Sequence, residues 1–531
     1  MTAVRSDVLI IGGGLAGLTL AIQLRRELPQ LSVRVLERRR HPVPEAAFKV
    51  GESTVEIGAD YFDRVLGLRE HLDTRQIRKF GFRFFFNDGS NDIARCAELG
   101  VRSVLPKVSF QLDRGIFENF LGDEARRLGV AFDDGAMVRG IELADDGGDH
   151  TLRFEQDGAR HQAQARWLID ASGRAGVLKR KLGLAEDNAH DAHAIWFRIA
   201  ERIAIDEWSD DPAWCSRVEP PERWRSTNHL CGPGYWTWLI PLASGSHSVG
   251  IVADPAFHPL HTMDTFDKAL AWFERHQPQL YGALAPHRDK LQDFAFERRF
   301  SYGCKQVFSD RRWALAGEAG LFLDPFYSPG SDFIAISNTL IAGLIARDTA
   351  GAAFAREARL SQNLYFTFYR NMLTLYQGQY ALFGDGALMP LKVTWDYTFY
   401  WGIMSPFFFQ RRLTDFGLFA RLGGTLAHCE ALNREVQALL RTACRVAPPA
   451  HDGRFVDQCD LPWFVELNRA LTDDLDAAGT EQRVLVNAQT LERLAAEIVA
   501  FVRARGTEPG ADLPLLQALV PGAPELLGAA A

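Results

Sequence analysis

The sequence predicts an α/β chain: a Rossmann-like nucleotide-binding domain, an inserted, largely antiparallel β-sheet domain on the substrate side, and a helical C-terminal region. Three observations near the N-terminus carry the first part. Val8 to Ile11 form a continuous apolar run, as expected of a parallel strand buried on both faces. Gly12, Gly14 and Gly17 follow at G-x-G-x-x-G spacing, and Leu15 to Leu24 then take up a helical period. Val33 to Leu36 read as a second strand ending in Glu37, at the spacing where an acid accepts hydrogen bonds from a ribose hydroxyl. The turn needs glycine because a side chain would keep a pyrophosphate from the backbone N–H groups at the helix start. Gly12, Gly14, Leu15, Ala16 and Gly17, with Glu37 and Arg38, are therefore the expected cradle of a dinucleotide.

At 531 residues the chain exceeds a single hydrophobic core, so several sub-domains are expected. A hydrophobic fraction of 47% with 24% charged residues is ordinary globular composition. The net charge of −8 and the lack of a basic stripe argue against nucleic acid as a partner. The seven cysteines are scattered without a C-x-x-C pair, which suggests neither a disulfide framework nor a zinc site, and the dispersed histidines suggest no metal. The first strand begins within ten residues of Met1, and no apolar stretch reaches the roughly 18 residues of a membrane span. A cytoplasmic location is the expectation.

In order, residues 1–190 are expected to form the first part of the nucleotide-binding domain. Within it, Gly51, Glu52, Ser53 and Thr54 make a loop before an amphipathic helix through Phe62, Val65 and Leu66. Ile77 to Phe86 alternates as a strand with Lys79 near its start. Val130 to Gly158 reads as strand, turn and strand. Residues 191–299 alternate as a largely antiparallel sheet, with a helix from Leu260 to Ala283. Residues 300–350 complete the first domain, and 351–531 are helical, with an aromatic-rich portion and a last amphipathic helix over Glu481–Arg505. Trp395 to Phe409 has two readings, buried core or the lining of a hydrophobic tunnel.

Three further stretches select the dinucleotide. QLDRGIFENFL (Gln111–Leu121) resembles the flavoprotein segment in which an arginine, here Arg114, opens a helix beside the FAD phosphates. WLIDASGR (Trp167–Arg174), containing Asp170, resembles the strand and turn that pass the cofactor again. WALAGEAGLFLDP (Trp313–Pro325) resembles the stretch that holds the ribityl chain and pyrophosphate, with Gly317-Glu318 where the family usually has Gly-Asp. Together they resemble the para-hydroxybenzoate-hydroxylase-like FAD monooxygenase superfamily, and imply FAD.

GYWTWLIPL (Gly234–Leu242) is more discriminating: Trp236, Trp238, Ile240 and Pro241 match the W-x-W-x-I-P signature of the flavin-dependent halogenases. Read as residues alone, the two tryptophans are a buried pair on one face of a strand. The Gly51–Thr54 loop, Lys79 and FLDPFYSPG (Phe322–Gly330) resemble the same family. The resemblance implies an oxidoreductase of secondary metabolism that takes FADH2 from a separate flavin reductase. With O2 the cofactor would form a flavin hydroperoxide, and halide would be oxidised to hypohalous acid. Lys79 would deliver the halogen to an electron-rich aromatic, either free or tethered to an acyl carrier protein. Lys49 is a competitor for that role. Pro325, Ser328, Pro329, Gly330 and Ser331 would line the flavin and halide (bromide or chloride).

One departure counts against halide. Family members commonly carry S-T-G or S-S-G, and proline at 329 has no N–H to give. Ser331 could compensate, whereas Asp332 would repel an anion if it faced the same pocket. A flavin monooxygenase that hydroxylates an aromatic substrate is the alternative, and a non-catalytic FAD-binding protein the second.

Overall fold

The computed structural model describes residues 4–46, 50–86, 92–145, 147–444, 453–519 and 526–527. The chain forms two compact units. One comprises Met1–Gln76, Leu112–Asn188 and Ser301–Tyr369; the other comprises Ile77–Gln111, Ala189–Phe300 and Arg370–Ala531.

The first unit is built on a seven-stranded sheet. Ala131–Asp134, Val33–Glu37, Val4–Ile11 and Ala159–Asp170 lie side by side in that order, all parallel, and Trp313–Leu315 pairs parallel with the end of Ala159–Asp170. The N-terminal half of that long strand instead pairs antiparallel with His150–Gln156, which pairs with Met137–Glu142. Val8 to Ile11 are almost wholly buried, as a strand covered on both faces must be. Ile11 stands opposite both Leu36 and Asp170. The glycine turn, Glu37 and the turn after Asp170 therefore open at one edge, the carboxyl ends of the strands, where such sheets bind ligands.

Three helical segments of this unit are tied by a buried polar cluster. Asn338, in helix Gly330–Thr349, lies 3.0 Å from the Tyr61 hydroxyl and 3.1 Å from both Ala16 O and Thr19 Oγ1 of helix Leu15–Glu27. The Tyr61 hydroxyl donates in turn to Gln23 Oε1 at 2.9 Å, and burial pushes its pKa upward. Removing a partner from such a cluster leaves buried groups without hydrogen bonds, so Asn338→Ala is expected to cost about 1–3 kcal/mol, read by denaturant unfolding of the full chain.

The second unit contains an eight-stranded mixed sheet in the order Leu291–Glu297, His193–Ile199, His247–Ala253, Tyr235–Pro241, Thr227–Gly232, Phe82–Phe86, Ala97–Gly100, Phe455–Asp457. Its pairings are antiparallel except that Thr227–Gly232 runs parallel to Phe82–Phe86, and Phe455–Asp457 parallel to Ala97–Gly100. Strand alternation divides the faces. Phe85, Ile195, Phe197, Leu230, Leu239, Val249 and Ile251 pack into a core with Leu270 and Phe273 of helix Phe266–His276. Register places Phe82, Phe84, His229, Trp236 and Trp238 together on the other face.

The stretch Ile77–Phe86, assigned from sequence to the 1–190 part, falls in the second unit, and its Phe82–Phe86 portion is a strand of this sheet. It also breaks: Ile77–Arg78 pairs with Phe110–Gln111, and the chain resumes as Phe82–Phe86 beyond Gly81, whose φ of +85° ends an extended run. The helix expected over Leu260–Ala283 is interrupted before Pro278, which has no N–H to continue it.

A charged cluster is sealed beside the core. Glu98 is fully buried among Arg83, Arg217 and Arg223; Arg223 Nε donates to its Oε1 at 2.9 Å and Arg217 Nη1 to its Oε2 at 3.1 Å, while Arg83 pairs with Oε1. Burial opposes ionisation of Glu98, yet Arg83 and Arg223 outweigh it and hold the carboxyl below the usual glutamate range. Among the helices, Trp395 to Phe409 lies within a wholly buried stretch, which favours the core reading of that segment. Lys392 Nζ there donates to Asp396 at 2.6 Å and to Gln437 at 2.9 Å.

Because folding lowers the pKa of Glu98, protonation favours the unfolded chain. Its contribution is whole above the ordinary glutamate range and is lost as pH falls below it. Glu98→Gln is expected to destabilise the unit by about 3–5 kcal/mol at neutral pH. Urea unfolding at pH 7 and pH 4 should also show a shallower acid dependence in the variant than in the parent chain.

Candidate functional site

Every residue expected to hold the cofactor, and the loop expected to hold halide, falls in the first unit; Lys79, Trp236 and Trp238 fall in the second. Each set is therefore built up separately.

Gly12 adopts a φ of +105°, and a Cβ there would strike the carbonyl of Ala171. A Cβ on Gly17 would strike the carbonyl of Gly12, so this glycine lets helix and strand approach closely. Gly14 differs: a Cβ there would meet nothing within 4 Å. It precedes helix Leu15–Glu27, whose N-terminus has no side-chain cap and no acidic residue in its first turn. Open space in front of uncapped N–H groups is what an anion requires. Glu37 Oε2 accepts from Gly13 N at 2.6 Å and Oε1 from Arg39 N at 2.8 Å, which fixes the carboxylate at the strand end; Arg38 is exposed.

The Gly51–Thr54 loop is held from one side by the segment expected beside the phosphates. Leu112 N donates to Glu52 O at 2.5 Å, and Arg114 Nη1 donates to Val50 O at 2.7 Å and reaches Gly51 O at 3.3 Å. Arg114 Nη2 pairs with Glu118 at 2.6 Å. The guanidinium thus grips the loop, a role not foreseen from sequence. Glu52, Ser53 and Thr54 are buried. Lys49 lies outside the described residues.

Asp170 is fully buried and accepts from Ser172 N at 3.0 Å and Leu178 N at 2.6 Å, so its carboxylate shapes the turn that follows. Burial raises its pKa, which those donors oppose. In that turn Gly173 again has open space where a Cβ would stand. Glu318 pairs with Arg174 at 3.3 Å, and Gly317, at φ +57°, packs near Ala16 and Ile334.

At the next loop Ser328 N donates to Pro325 O at 2.9 Å and Ser328 takes a φ of +51°. Pro329 caps helix Gly330–Thr349, and a Cβ on Gly330, as on Gly14 and Gly173, would meet nothing within 4 Å. Ser331 Oγ is buried and makes no hydrogen bond among the described residues. Asp332 does not stand idle beside the loop: its Oδ1 accepts the Gly58 N–H at 2.7 Å. Three cradles a Cβ would fill, at Gly14, Gly173 and Gly330, together with two uncapped helix starts, fit an extended dinucleotide and leave room for a small anion.

In the second unit Lys79 is 2% exposed and its Nζ lies 3.2 Å from the Phe82 ring centroid. The Phe82 ring is 5.3 Å from His229 and 6.4 Å from Tyr397. Trp236 and Trp238 are buried, their rings 5.8 Å apart; Trp236 Nε1 donates to the Tyr380 hydroxyl at 3.3 Å and Trp238 Nε1 to Ser248 Oγ at 3.1 Å. Gly250 makes room for the Trp238 indole. Sequence reasoning missed His229 and Tyr397. The alternation of Thr227–Gly232 could have found the first, whereas the second depends on long-range packing.

Residues 5–241 match the family described as FAD binding domain. The flavin-dependent halogenase chlA of Dictyostelium discoideum is 27% identical over 436 residues, covering 75% of this chain and 70% of that protein. The tetracycline 7-halogenase of Kitasatospora aureofaciens is 28% identical, covering 67% of each. Among solved structures, halogenase PltM superposes with a TM-score of 0.64 at 18% identity, covering 94% of this chain and 96% of that one. Gly14→Val, which fills open space at an ordinary φ, is expected to weaken FAD binding about tenfold or more by flavin fluorescence titration, with the unfolding midpoint of the cofactor-free chain unchanged. The chain is an FAD-dependent flavoprotein, with an FAD binding domain over residues 5–241, and is similar to the flavin-dependent halogenases.

Proposed function

We propose that this chain is a cytoplasmic, FADH2- and O2-dependent halogenase that receives reduced flavin from a separate reductase and halogenates an electron-rich aromatic. The observation that carries the reading is a buried lysine, Lys79, held on the aromatic face that also bears Trp236 and Trp238. A solvated strand-end lysine would not be 2% exposed.

Bound FADH2, with O2, supplies the oxidising chemistry. The chain's residues do the rest. Gly12 to Gly17 and the N–H groups of helix Leu15–Glu27 would receive the pyrophosphate, Glu37 would take the ribose, and the Gly51–Thr54 loop, gripped by Arg114, would cover the flavin. Halide rests at the start of helix Gly330–Thr349. Pro329 lacks an N–H, so the donors there are the N–H groups of Gly330 and Ser331, one residue further on than in S-T-G loops. A lost charge-assisted hydrogen bond is worth about 1.5–3 kcal/mol, or roughly tenfold to hundredfold in affinity. The larger, less strongly hydrated bromide is the favoured substrate over chloride. Lys79 holds hypohalous acid by hydrogen bonding, and a flexible amine suits that task. The ring gains halogen and loses a proton, and the acid's oxygen leaves as water. The enclosing rings of Phe82, Trp236 and Tyr397 favour a flat, activated ring such as a phenol. The PltM halogenase has been crystallised with phloroglucinol and FAD, and another relative is a chlorinase of a pyrrole carried on a peptidyl carrier protein.

Pro329 favours one other reading, an aromatic hydroxylase of the same fold in which the loop binds no halide. Supplying FADH2, O2, bromide and an activated phenol decides between them by mass spectrometry. A brominated product that falls about 10²-fold or more in Lys79→Ala, with FADH2 oxidation continuing, is expected. A hydroxylated product indifferent to bromide overturns the halogenase reading.

A further inference from the structure

The loop over the flavin and the loop at the halide position belong to distant parts of the sequence, yet one buried contact joins them. Helix Glu56–Asp60 follows the Gly51–Thr54 strap directly, and its Gly58 N–H donates to Asp332 Oδ1 at 2.7 Å. Asp332 is 3% exposed and sits in the first turn of helix Gly330–Thr349. The same approach explains the glycine. A Cβ on residue 58 would fall 2.6 Å from Ser331 Cβ, closer still to Ser331 Oγ, and 3.2 Å from Asp332 Oδ1. The strap is fixed at its other end by Leu112 N and Arg114. A few residues anchored at both ends have little freedom to move independently of either anchor.

We propose that Asp332 is a positioning residue that docks the strap-bearing helix onto the first turn of helix Gly330–Thr349, so that strap placement over the flavin and occupation of the anion loop are set together. The inference rests on the function proposed above for these two loops. Asp332 acts through Gly58. Its carboxylate is turned to the Gly58 N–H, which answers the repulsion the sequence suggested. Coupling of this kind is reciprocal: if bromide steadies the strap and so tightens FAD binding, FAD tightens bromide binding by the same factor.

The test titrates oxidised FAD into the full chain by flavin fluorescence, with and without bromide. The proteins are wild type, D332A, D332N, G58A, S331G and G58A/S331G, each with its unfolding midpoint measured cofactor-free. D332A is expected to weaken FAD binding about tenfold and to abolish the bromide effect seen in wild type. D332N, whose amide oxygen still accepts the Gly58 N–H, should stay within about twofold of wild type. G58A should weaken binding about tenfold, and S331G should restore most of it by vacating the space a Cβ needs. Equal FAD affinities in wild type, D332A and D332N, or a G58A defect that S331G leaves in place, overturns the proposal. If D332A does not fold, the Gly58 and Ser331 pair decides alone. If bromide alters FAD binding in no variant and no brominated product forms, the halide reading of the loop falls, while the rescue pattern still judges the contact.

Discussion

Helices Leu15–Glu27 and Gly330–Thr349 of the first unit begin with no side-chain cap for their leading N–H groups, and the placement of the candidate site follows from that. Leu15–Glu27 starts after Gly14 and Gly330–Thr349 after Pro329. A helix start left so must face water or an anion. The parallel strand order brings the first of these starts to the carboxyl edge of the sheet. The buried contacts of Asn338 then hold the second helix against the first. Polar groups left unspent at the helix ends are thus set in place by polar groups fully spent between the helices.

The second unit solves a different problem, an aromatic sheet face that must stay ordered. Phe82, Phe84, His229, Trp236 and Trp238 leave little polar surface to fix their register. The opposite face supplies it through Glu98 and its arginines, whose removal from water is tolerable only in one arrangement. The aromatic face inherits that register, since a slip by one residue would turn every ring to the wrong side.

Much of this was legible beforehand because it rests on local backbone demands. The glycine turn, the helix after it and the strand ending in Glu37 each follow from residues close in sequence. The alternation of Trp236 and Trp238 likewise put both on one face. What was not legible depended on partners far along the chain. Ile77–Phe86 was read as a strand within the 1–190 part, whereas Phe82–Phe86 joins the second unit, because alternation marks a strand without naming its neighbour, here Thr227–Gly232. Arg114 opens the helix expected beside the FAD phosphates, and its guanidinium also grips carbonyls some 60 residues earlier, a contact no local pattern announces. Whether Asp332 faced an anion could not be read from its neighbours, because the Gly58 N–H that engages it lies 274 residues away.

The parallel pairing of Phe82–Phe86 with Thr227–Gly232 also bears on how the protein is made. Parallel neighbours cannot meet through a tight turn, so this strand has to wait for a long connection to be synthesised. At roughly 5–20 residues per second, a ribosome would leave one edge of the nascent Phe-Arg-Phe-Phe-Phe segment open for about 7–30 s before Thr227–Gly232 emerges. The outer edge of Ala97–Gly100 stays open until Phe455–Asp457 arrives. Ala97–Gly100 can cover one edge of this phenylalanine-rich strand soon after it emerges, but the other edge waits, and an open edge of that composition is a natural client for a ribosome-bound chaperone.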